Sequence, residues 1–159
     1  MMQGSQPQGT NWKNVNNWHW VEKNCLPWTQ DHLGKKLLTF EFKQDGKKVW
    51  VSAVKSVTGD VDLNQRKGKV IYVFDLALNL EWKGSSDLDD KILKGSITVP
   101  EWMHDSDDLE WQVSMESWTK ETDKFSQMVK KKLCQLMEGY LLKGFSKDLM
   151  EGKFINFNI

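Results

Sequence analysis

A long amphipathic segment near the C-terminus constrains the fold more than any other feature of this sequence. Apolar side chains recur there at steps of three and four, the spacing of one face of an α-helix. This apolar stripe comprises Phe125, Met128, Val129, Leu133, Leu136, Met137, Tyr140, Leu141, Phe145 and Leu149. The spacing predicts a helix from Asp123 to Leu149, which at 1.5 Å per residue is roughly 40 Å long. Such a helix can lie along a whole antiparallel sheet and cover it.

The middle of the chain has the two-residue alternation of strands instead. Apolar and polar residues alternate from about Leu37 to Val99, and Asp45-Gly46 is typical of a hairpin turn. The clearest predicted strands are residues 70–82 and residues 92–99, the second ended by Pro100, with one more within residues 109–118. The polar stretch from Thr58 to Lys69 is predicted to be a loop or irregular connection.

A short helix is predicted between Pro27 and Leu38, before the first strand. Thr29 is the predicted N-cap, because its hydroxyl can accept a hydrogen bond from the first helical turn. Gly34 lies inside this segment and weakens it, so the helix should be short. An arm, a short helix, an antiparallel meander and a long helix together predict an α+β fold in two layers.

Length and composition indicate one globular domain and restrict its partners. We expect residues 1–10 to be a mobile tail, residues 11–150 the domain and residues 151–159 a C-terminal tail. Lys plus Arg and Asp plus Glu both number 22, so the formal net charge is zero, which argues against a nucleic-acid partner. The longest apolar stretch contains Asp75 and Asn79, so no membrane partner is expected. A cytoplasmic protein with reduced thiols is the resulting prediction.

The sequence carries none of the common catalytic or phosphate-binding motifs. It has no nucleophile elbow, no phosphate-binding glycine loop and no paired zinc-ligand histidines. His19, His32 and His104 lack metal-type spacing to one another or to the two cysteines. No catalytic residue, metal or other cofactor is therefore expected, and binding is the favoured class of function.

Two motifs stand out from this background. Residues 14–20 read Asn-Val-Asn-Asn-Trp-His-Trp, and residues 59–69 read Gly-Asp-Val-Asp-Leu-Asn-Gln-Arg-Lys-Gly-Lys. The first resembles the N-x-N-N-W-H-W signature, and the second the G-D-x-x-x-N-Q-R-K-G-K segment, of the activators of the 90-kilodalton heat-shock chaperone's ATPase. The resemblance covers about residues 11–149. It implies a non-enzymatic co-chaperone with a helix at each end and a four-stranded antiparallel meander sheet between them.

The resemblance also implies a partner and a mechanism. The partner is the middle segment of the chaperone dimer, whose ATPase the domain stimulates, and the free domain is expected to be a monomer. The motif implied to tune this stimulation comprises Asn14, Asn16, Asn17, Trp18, His19 and Trp20. The other interpretation of Trp18 and Trp20 is that they only fasten the arm to the sheet.

The second motif and the strand after it predict a docking surface. Arg66, Lys67 and Lys69 surround Gly68, which lets the backbone turn and brings the cations onto one tip. On the following strand, Ile71 and Val73 have the parity opposite to the core-facing residues, so they should lie on the surface beside these cations. Basic charge at the rim of an apolar patch is typical of an interface.

Two acids are added to this surface by the resemblance. Asp60 belongs to the second motif, and Asp105 follows a Pro-Glu pair that the family also carries. The other interpretation of the surface is that the long helix or another loop covers Ile71 and Val73 and that the cations are merely solvated. The alternative function is a non-catalytic scaffold or interaction module for some other acidic protein.

Overall fold

The computed structural model describes residues 21–66 and 68–151, with the backbone alone for residues 21–23, 65, 66 and 89. The expected tail at residues 1–10 and nearly all of the tail at residues 151–159 lie outside this range. The elements within it are β1 (Val21–Asn24), α1 (Leu26–Lys36), a 3₁₀ turn (Leu37–Thr39), β2 (Glu41–Gln44), β3 (Lys47–Arg66), β4 (Lys69–Ser86), β5 (Asp89–Met103), β6 (Gln112–Met115) and a C-terminal helix that begins at Lys120.

One antiparallel sheet with a helix at each end of the described chain confirms the predicted α+β fold. The sheet order is β1-β3-β4-β5-β6, and β2 also pairs with β3. The sheet therefore has six strands rather than the four expected. The difference arises because β3 is 20 residues long and accommodates two short strands along one edge, β1 near its end and β2 near its start.

The predicted loop between Thr58 and Lys69 is wrong. Residues up to Arg66 continue β3, and Arg66 pairs with Lys69 across a turn of only two residues, 67 and 68. Val61 and Leu63 are fully buried within this stretch, so their side chains point toward the core while their polar neighbours point outward. Pairing with β4 satisfies the backbone hydrogen bonds, and this outweighs the loop-like composition.

Pro100 does not end β5, contrary to the prediction. The strand continues to Met103. Val99 pairs with Leu78 of β4, and Trp102 pairs with Leu76. Two residues of β5 therefore oppose one residue of β4, which is a β-bulge. A proline is tolerated in a bulge because the extra residue there makes no regular ladder hydrogen bond.

Helix α1 is present as predicted, but Thr29 is not its N-cap. The helix begins at Leu26, and the backbone N–H of Leu26 donates to the side-chain oxygen of Asn24 at 2.9 Å. Pro27 lies in the first turn, where a missing N–H costs nothing. Thr29 is fully buried inside the helix, and its hydroxyl has no hydrogen-bond partner among the described residues, so it caps nothing.

The C-terminal helix starts three residues earlier than predicted, where a reciprocal cap fixes its first turn. The Thr119 hydroxyl accepts from the backbone N–H of Thr122 at 3.0 Å, and the Thr122 hydroxyl accepts from the Thr119 N–H at 2.6 Å. These bonds satisfy two of the amide groups that a helix start leaves without partners. Glu121 and Asp123 add negative charge at the positive end of the helix dipole.

The buried face of this helix repeats every four residues rather than every 3.6. Its members from the second turn onward are Phe125, Val129, Leu133, Met137, Leu141, Phe145 and Leu149. In a regular helix each four-residue step would rotate the stripe by about 40°, or roughly 240° over its length. Two wider π-type turns, Val129–Leu133 and Tyr140–Gly144, each absorb one extra residue, or about 100°. They keep the stripe on one side of the helix, against the sheet.

A hydrogen-bonded cluster fastens α1 to the C-terminal helix. The Tyr140 hydroxyl donates to the Asp148 carboxylate at 2.6 Å, and His32 Nε2 lies 3.0 Å from the same oxygen and 2.8 Å from the hydroxyl. The Trp28 ring stacks on His32 with centroids 4.6 Å apart. Burial by itself raises the pKa of Asp148, but the bonds from Tyr140 and His32 outweigh it and hold this pKa below its ordinary value.

Replacing Asp148 with asparagine should therefore destabilise the fold in a pH-dependent way. A depressed folded-state pKa stabilises the protein above the unfolded value of 3.8, and this stabilisation is lost as the pH falls through the folded value. At pH 7 we expect Asp148→Asn to lower the free energy of unfolding by about 1–2 kcal/mol. The difference from wild type should shrink below about pH 4, as measured by urea unfolding across this range.

Asp31→Asn is the matched control for this experiment. Asp31 forms a solvent-exposed pair with Lys35 at 3.2 Å on the same helix that carries His32. An exposed pair of this kind contributes only about 0.3–0.5 kcal/mol. A loss in Asp148→Asn that stays constant from pH 7 to pH 3 would show that the charge of Asp148 is not what fastens the two helices.

Candidate protein-binding site

Most of the predicted docking residues lie at the turn end of the β3–β4 hairpin, where Arg66 pairs with Lys69. Counting back from the turn, Arg66 pairs with Lys69, Asn64 with Ile71 and Asp62 with Val73. Directly opposed residues of an antiparallel pair share a face, so these three rows form one outer surface. We call Arg66, Lys67, Gly68 and Lys69 the basic tip, with Lys67 itself outside the described residues.

Gly68 makes the tip possible. Its φ is +80°, a conformation that L-residues with a side chain rarely adopt, and a two-residue hairpin turn requires such an angle. Both Gly68 and Lys69 are exposed. The predicted role of this glycine in turning the chain between two lysines is thus confirmed.

Ile71 and Val73, the hydrophobic pair, are exposed to solvent as predicted. Their exposed fractions are 50% and 42%, whereas the neighbouring Phe74 is buried. The interpretation that the long helix covers them is wrong, because that helix packs on the opposite face. There Phe145 of the helix contacts Phe74 and Trp102, with ring centroids 5.3 and 4.9 Å apart. These rings support the base of the hairpin from within.

An acidic pair completes the outer surface. Asp60 lies directly opposite Asp75, and both side chains are exposed. Like charges in opposed positions destabilise a sheet, so stability does not explain their placement. The outer face of the hairpin thus changes from basic at the tip, through apolar, to acidic. Strand parity alone places Asp75 on this face, but its position opposite Asp60 depends on the strand register and was not predicted.

Asp105 lies at the end of the neighbouring strand. Met103 pairs with Asp75, and the next backbone N–H, that of His104, donates to the Phe74 carbonyl at 3.1 Å. The His104 ring also contacts this backbone, with Nδ1 3.3 Å from the Phe74 nitrogen. Asp105 follows in an exposed turn, on the β5 side of the hairpin. These contacts of His104 hold the start of the turn against β4.

The Asn/Trp motif, Asn14 to Trp20, lies outside the described residues. Its attachment point is described: Val21, the first residue of β1, has Gln65 of β3 as its partner. Gln65 precedes Arg66 directly. The residue that follows the Asn/Trp motif in the sequence is thus paired at the same end of β3 as the basic tip.

Glu81 and Cys134 are two ionisable side chains whose pKa values the surroundings shift. An open groove of about 410 Å³ lies on the outer face, lined in part by Lys55, Glu81 and Lys94. The hydrogen bond from Ser52 lowers the pKa of Glu81, and Lys55 lies 3.7 Å from it, so this carboxylate is a poor general acid. Burial raises the pKa of the Cys134 thiol to about 12, which leaves it protonated and unreactive.

Within residues 21–66 and 68–151, no group of three or more His, Cys, Asp or Glu side chains is arranged to hold a metal ion. Among the helices of that same part, none has the length and apolar character needed to cross a membrane.

Comparison with known proteins identifies the class. Residues 22–153 match the model of the family "Activator of Hsp90 ATPase, N-terminal". The chain belongs to this family. Its match begins at the second residue of β1 and extends past the C-terminal helix, so it includes every element that forms the outer face.

The relatives differ in how much of their length the chain spans. The Hsp90 co-chaperone HCH1 of Saccharomyces cerevisiae is 45% identical over 106 residues, which are 60% of this chain and 69% of HCH1. The Hsp90 co-chaperone AHA1 of the same yeast is 37% identical over 145 residues, which are 86% of this chain but only 41% of AHA1. The chain therefore spans about two thirds of one relative and less than half of the other.

Solved structures share the fold. The crystal structure of Aha-1 from Plasmodium falciparum has a TM-score of 0.75 at 20% sequence identity, covering 86% of this chain and 92% of that one. The solution structure of the human Aha1 N-terminal domain has a TM-score of 0.56 at 23% identity, covering 78% and 94%. The two-layer arrangement of sheet and terminal helices is thus a property of known domains.

Proposed function

We propose that this chain is a cytoplasmic co-chaperone that binds the middle segment of the Hsp90 dimer and stimulates its ATPase. One observation carries the proposal: a chain of this family exposes a hydrophobic pair between a basic tip and an acidic pair. Its relatives HCH1 and AHA1 are both named Hsp90 co-chaperones, which supports the same partner here. The chain supplies contacts and no catalytic group.

The proposed mechanism is a shift in the conformation of the chaperone. A bound protein favours one conformation only if it binds that conformation more tightly than the others. A tenfold gain in ATP turnover needs about 1.4 kcal/mol of preferential stabilisation. Burial of the hydrophobic pair together with a few charge contacts can supply this. We further propose that the Asn/Trp motif acts after docking and raises turnover more than affinity.

The alternative is an interaction module for another acidic protein. The basic tip fits that alternative, but Asp60 and Asp75 would oppose a partner surface that is acidic throughout. A partner surface with acidic and basic regions at matching spacing fits the hairpin better. Hsp90 turnover measured with and without the chain separates the two functions, because only the first predicts stimulation. The chain alone should hydrolyse no ATP.

The hydrophobic pair provides the sharpest test of the proposed surface. Ile71→Ser with Val73→Ser should raise the concentration needed for half-maximal ATPase stimulation about 10- to 30-fold. The reason is that binding would no longer bury two aliphatic side chains, together worth about 2 kcal/mol. The free energy of unfolding should change little, because both side chains are already exposed in the free protein.

Leu88→Ser with Ile92→Ser is the matched control. These residues are also aliphatic and exposed, at 96% and 54%, but they lie at the opposite end of β4 and β5. This variant should stimulate Hsp90 like the wild type. Equal losses of stimulation in both double variants, or no loss in Ile71→Ser with Val73→Ser, would show that the hydrophobic pair is not part of the interface.

A further inference from the structure

The open groove on the outer face lies far from the hydrophobic pair but on the same side of the sheet. Its lining comes from β3, β4, β5 and β6 and from Glu116, which follows β6 directly. We call it the lysine groove, after Lys55 and Lys94. Glu81 in its lining is eight residues along β4 from Val73, which is roughly 27 Å at the usual rise of a strand.

A β-bulge in β3 adds one of the two lysines to this groove. The pairing of β3 with β4 shifts between Val54 and Ser56, so Lys55 is the extra residue at this point. Bulges of this kind are common next to active sites, where they redirect a side chain. Lys55 is directed into the groove, and its Nζ lies 3.7 Å from the Glu81 carboxylate.

The other side of the groove is held in place from within the protein. The indole N–H of the buried Trp82 on β4 donates to the Ser114 carbonyl of β6 at 3.0 Å and so fastens β6 across β5. The Ser96 and Ser114 hydroxyls are bonded to each other at 2.5 Å. A site that is ordered before binding loses less conformational entropy when a partner enters it.

The lysines of the groove keep hydrogen-bond donors available for a partner. The Lys55 side chain is 56% exposed. Lys94 is 46% exposed and lies 3.8 Å from Glu116, so both of its ion-pair atoms are loosely held. Glu81 is only 21% exposed and already accepts from the Ser52 hydroxyl at 2.7 Å. Because each ammonium group has three N–H donors, an added carboxylate fits here better than an added cation.

We propose that the lysine groove is a second docking site for the partner of the hairpin and receives one of that partner's aspartate or glutamate side chains between Lys55 and Lys94. This inference rests on the proposed function, because it concerns the same partner. The face between the acidic pair and the groove carries small side chains, such as Thr58 and Ala77, which are opposed in the sheet. A single flat partner surface can therefore rest on both sites at once.

Two contacts on one partner strengthen each other. Once the hydrophobic pair has docked, the partner's carboxylate reaches the groove without a second diffusional encounter. The groove therefore adds to affinity even though its individual charge contacts are weak. It also fixes the orientation of the partner, since two contacts roughly 27 Å apart prevent rotation about the hairpin.

Carbodiimide crosslinking of the chain with full-length Hsp90 tests the groove directly. This reagent joins a lysine amine to a carboxylate that is in contact with it. Mass spectrometry should find Lys55 and Lys94 linked to aspartate or glutamate residues of Hsp90. The internal link between Lys55 and Glu81, expected in the free chain at their separation of 3.7 Å, should decline when Hsp90 is added.

A double substitution measures what the groove contributes to binding. Lys55→Ala with Lys94→Ala should raise the Kd for full-length Hsp90 about 3- to 10-fold at low salt. This factor should multiply with that of Ile71→Ser with Val73→Ser, because substitutions so far apart act independently.

Lys131→Ala with Lys132→Ala is the matched control. It also removes two exposed cations, but from the C-terminal helix on the other layer of the fold, and it should leave the Kd unchanged. An equal loss of affinity in this control would show that total charge, and not the groove, is responsible.

Two further outcomes would overturn the proposal. One is a complex in which neither Lys55 nor Lys94 is linked to Hsp90 and their substitution leaves the Kd unchanged; the proposed function would then still stand. The other is a link from Glu81 or Glu116 to a lysine of Hsp90, which would mean that the groove receives a cation. If the chain formed no complex with Hsp90 at all, the proposed function would fail and the second docking site with it.

Discussion

Replacing Gly59 with alanine is expected to lower the free energy of unfolding by about 3 kcal/mol. Gly59 lies in β3 opposite Leu76, with a φ of +125° that an alanine cannot adopt without strain. A Cβ placed there would stand 2.0 Å from the carbonyl oxygen of Asp75 and 3.0 Å from the Leu76 Cα. Both are backbone atoms, so relief requires β3 and β4 to separate beside the acidic pair.

The measurement is urea and thermal unfolding of Gly59→Ala against Gly34→Ala. Gly34 lies inside α1, and nothing stands within 4 Å of where its Cβ would be. The control should therefore be neutral or gain about 0.5–1 kcal/mol from helix propensity. We expect Gly59→Ala to melt about 6–12 °C below wild type. If both variants were equally stable, the close approach of the two strands at Gly59 would not limit which side chain the fold accepts there.

Removing two cations from the basic tip is expected to weaken Hsp90 binding about 10- to 100-fold at low salt. In Arg66→Ala with Lys67→Ala, the remaining cation of the tip is Lys69. Charges at the rim of an interface act mainly on the rate of association and on its salt dependence. The variant should accordingly associate more slowly, and its affinity should respond less to ionic strength than that of the wild type.

Lys43→Ala with Lys47→Ala is the matched control. It also removes two cations, but from the β2–β3 hairpin at the opposite end of β3. Association rates with the middle segment of Hsp90, measured over a range of salt concentrations, should be unchanged in the control. Both variants should keep the wild-type stability to within about 0.5 kcal/mol. Equal effects of the two pairs would mean that total charge matters and the position of the tip does not.

Much of the fold could be predicted because its signals are local. The alternation of Phe74, Leu76 and Leu78 defines a core-facing strand, and the C-terminal stripe defines a helix. The outer part of β3 could not be predicted in this way. Its polar residues have the composition of a loop, and only the hydrogen bonds of β4 make them a strand. Pro100 led to a wrong prediction of the strand end for a similar reason, since the bulge that accommodates this proline exists only in the paired sheet.

The candidate site was predictable only in part for a related reason. Ile71 and Val73 followed from strand parity, which needs one strand alone. The same parity places Asp75 on that face, but its position opposite Asp60 needed the register between two strands. A signal for that register was present: if residues 67 and 68 are taken as a two-residue turn, pairing outward from Arg66 and Lys69 places Asp60 opposite Asp75. The interpretation of the segment as a long loop concealed this consequence.

The four-residue repeat of the C-terminal helix has a consequence for which sequence changes the domain tolerates. Surface loops accept insertions and deletions because their ends stay in place. Here a single deletion within Val129–Leu133 or Tyr140–Gly144 would remove the extra residue that the wide turn absorbs, so a regular turn would replace it and the buried residues beyond it would keep their orientation. A deletion in the regular segment Cys134–Gly139, with both wide turns kept, would instead rotate Phe145 by about 100° away from the aromatic rings that support the hairpin. The two wide turns are therefore the places at which this helix can lose a residue without losing its buried face.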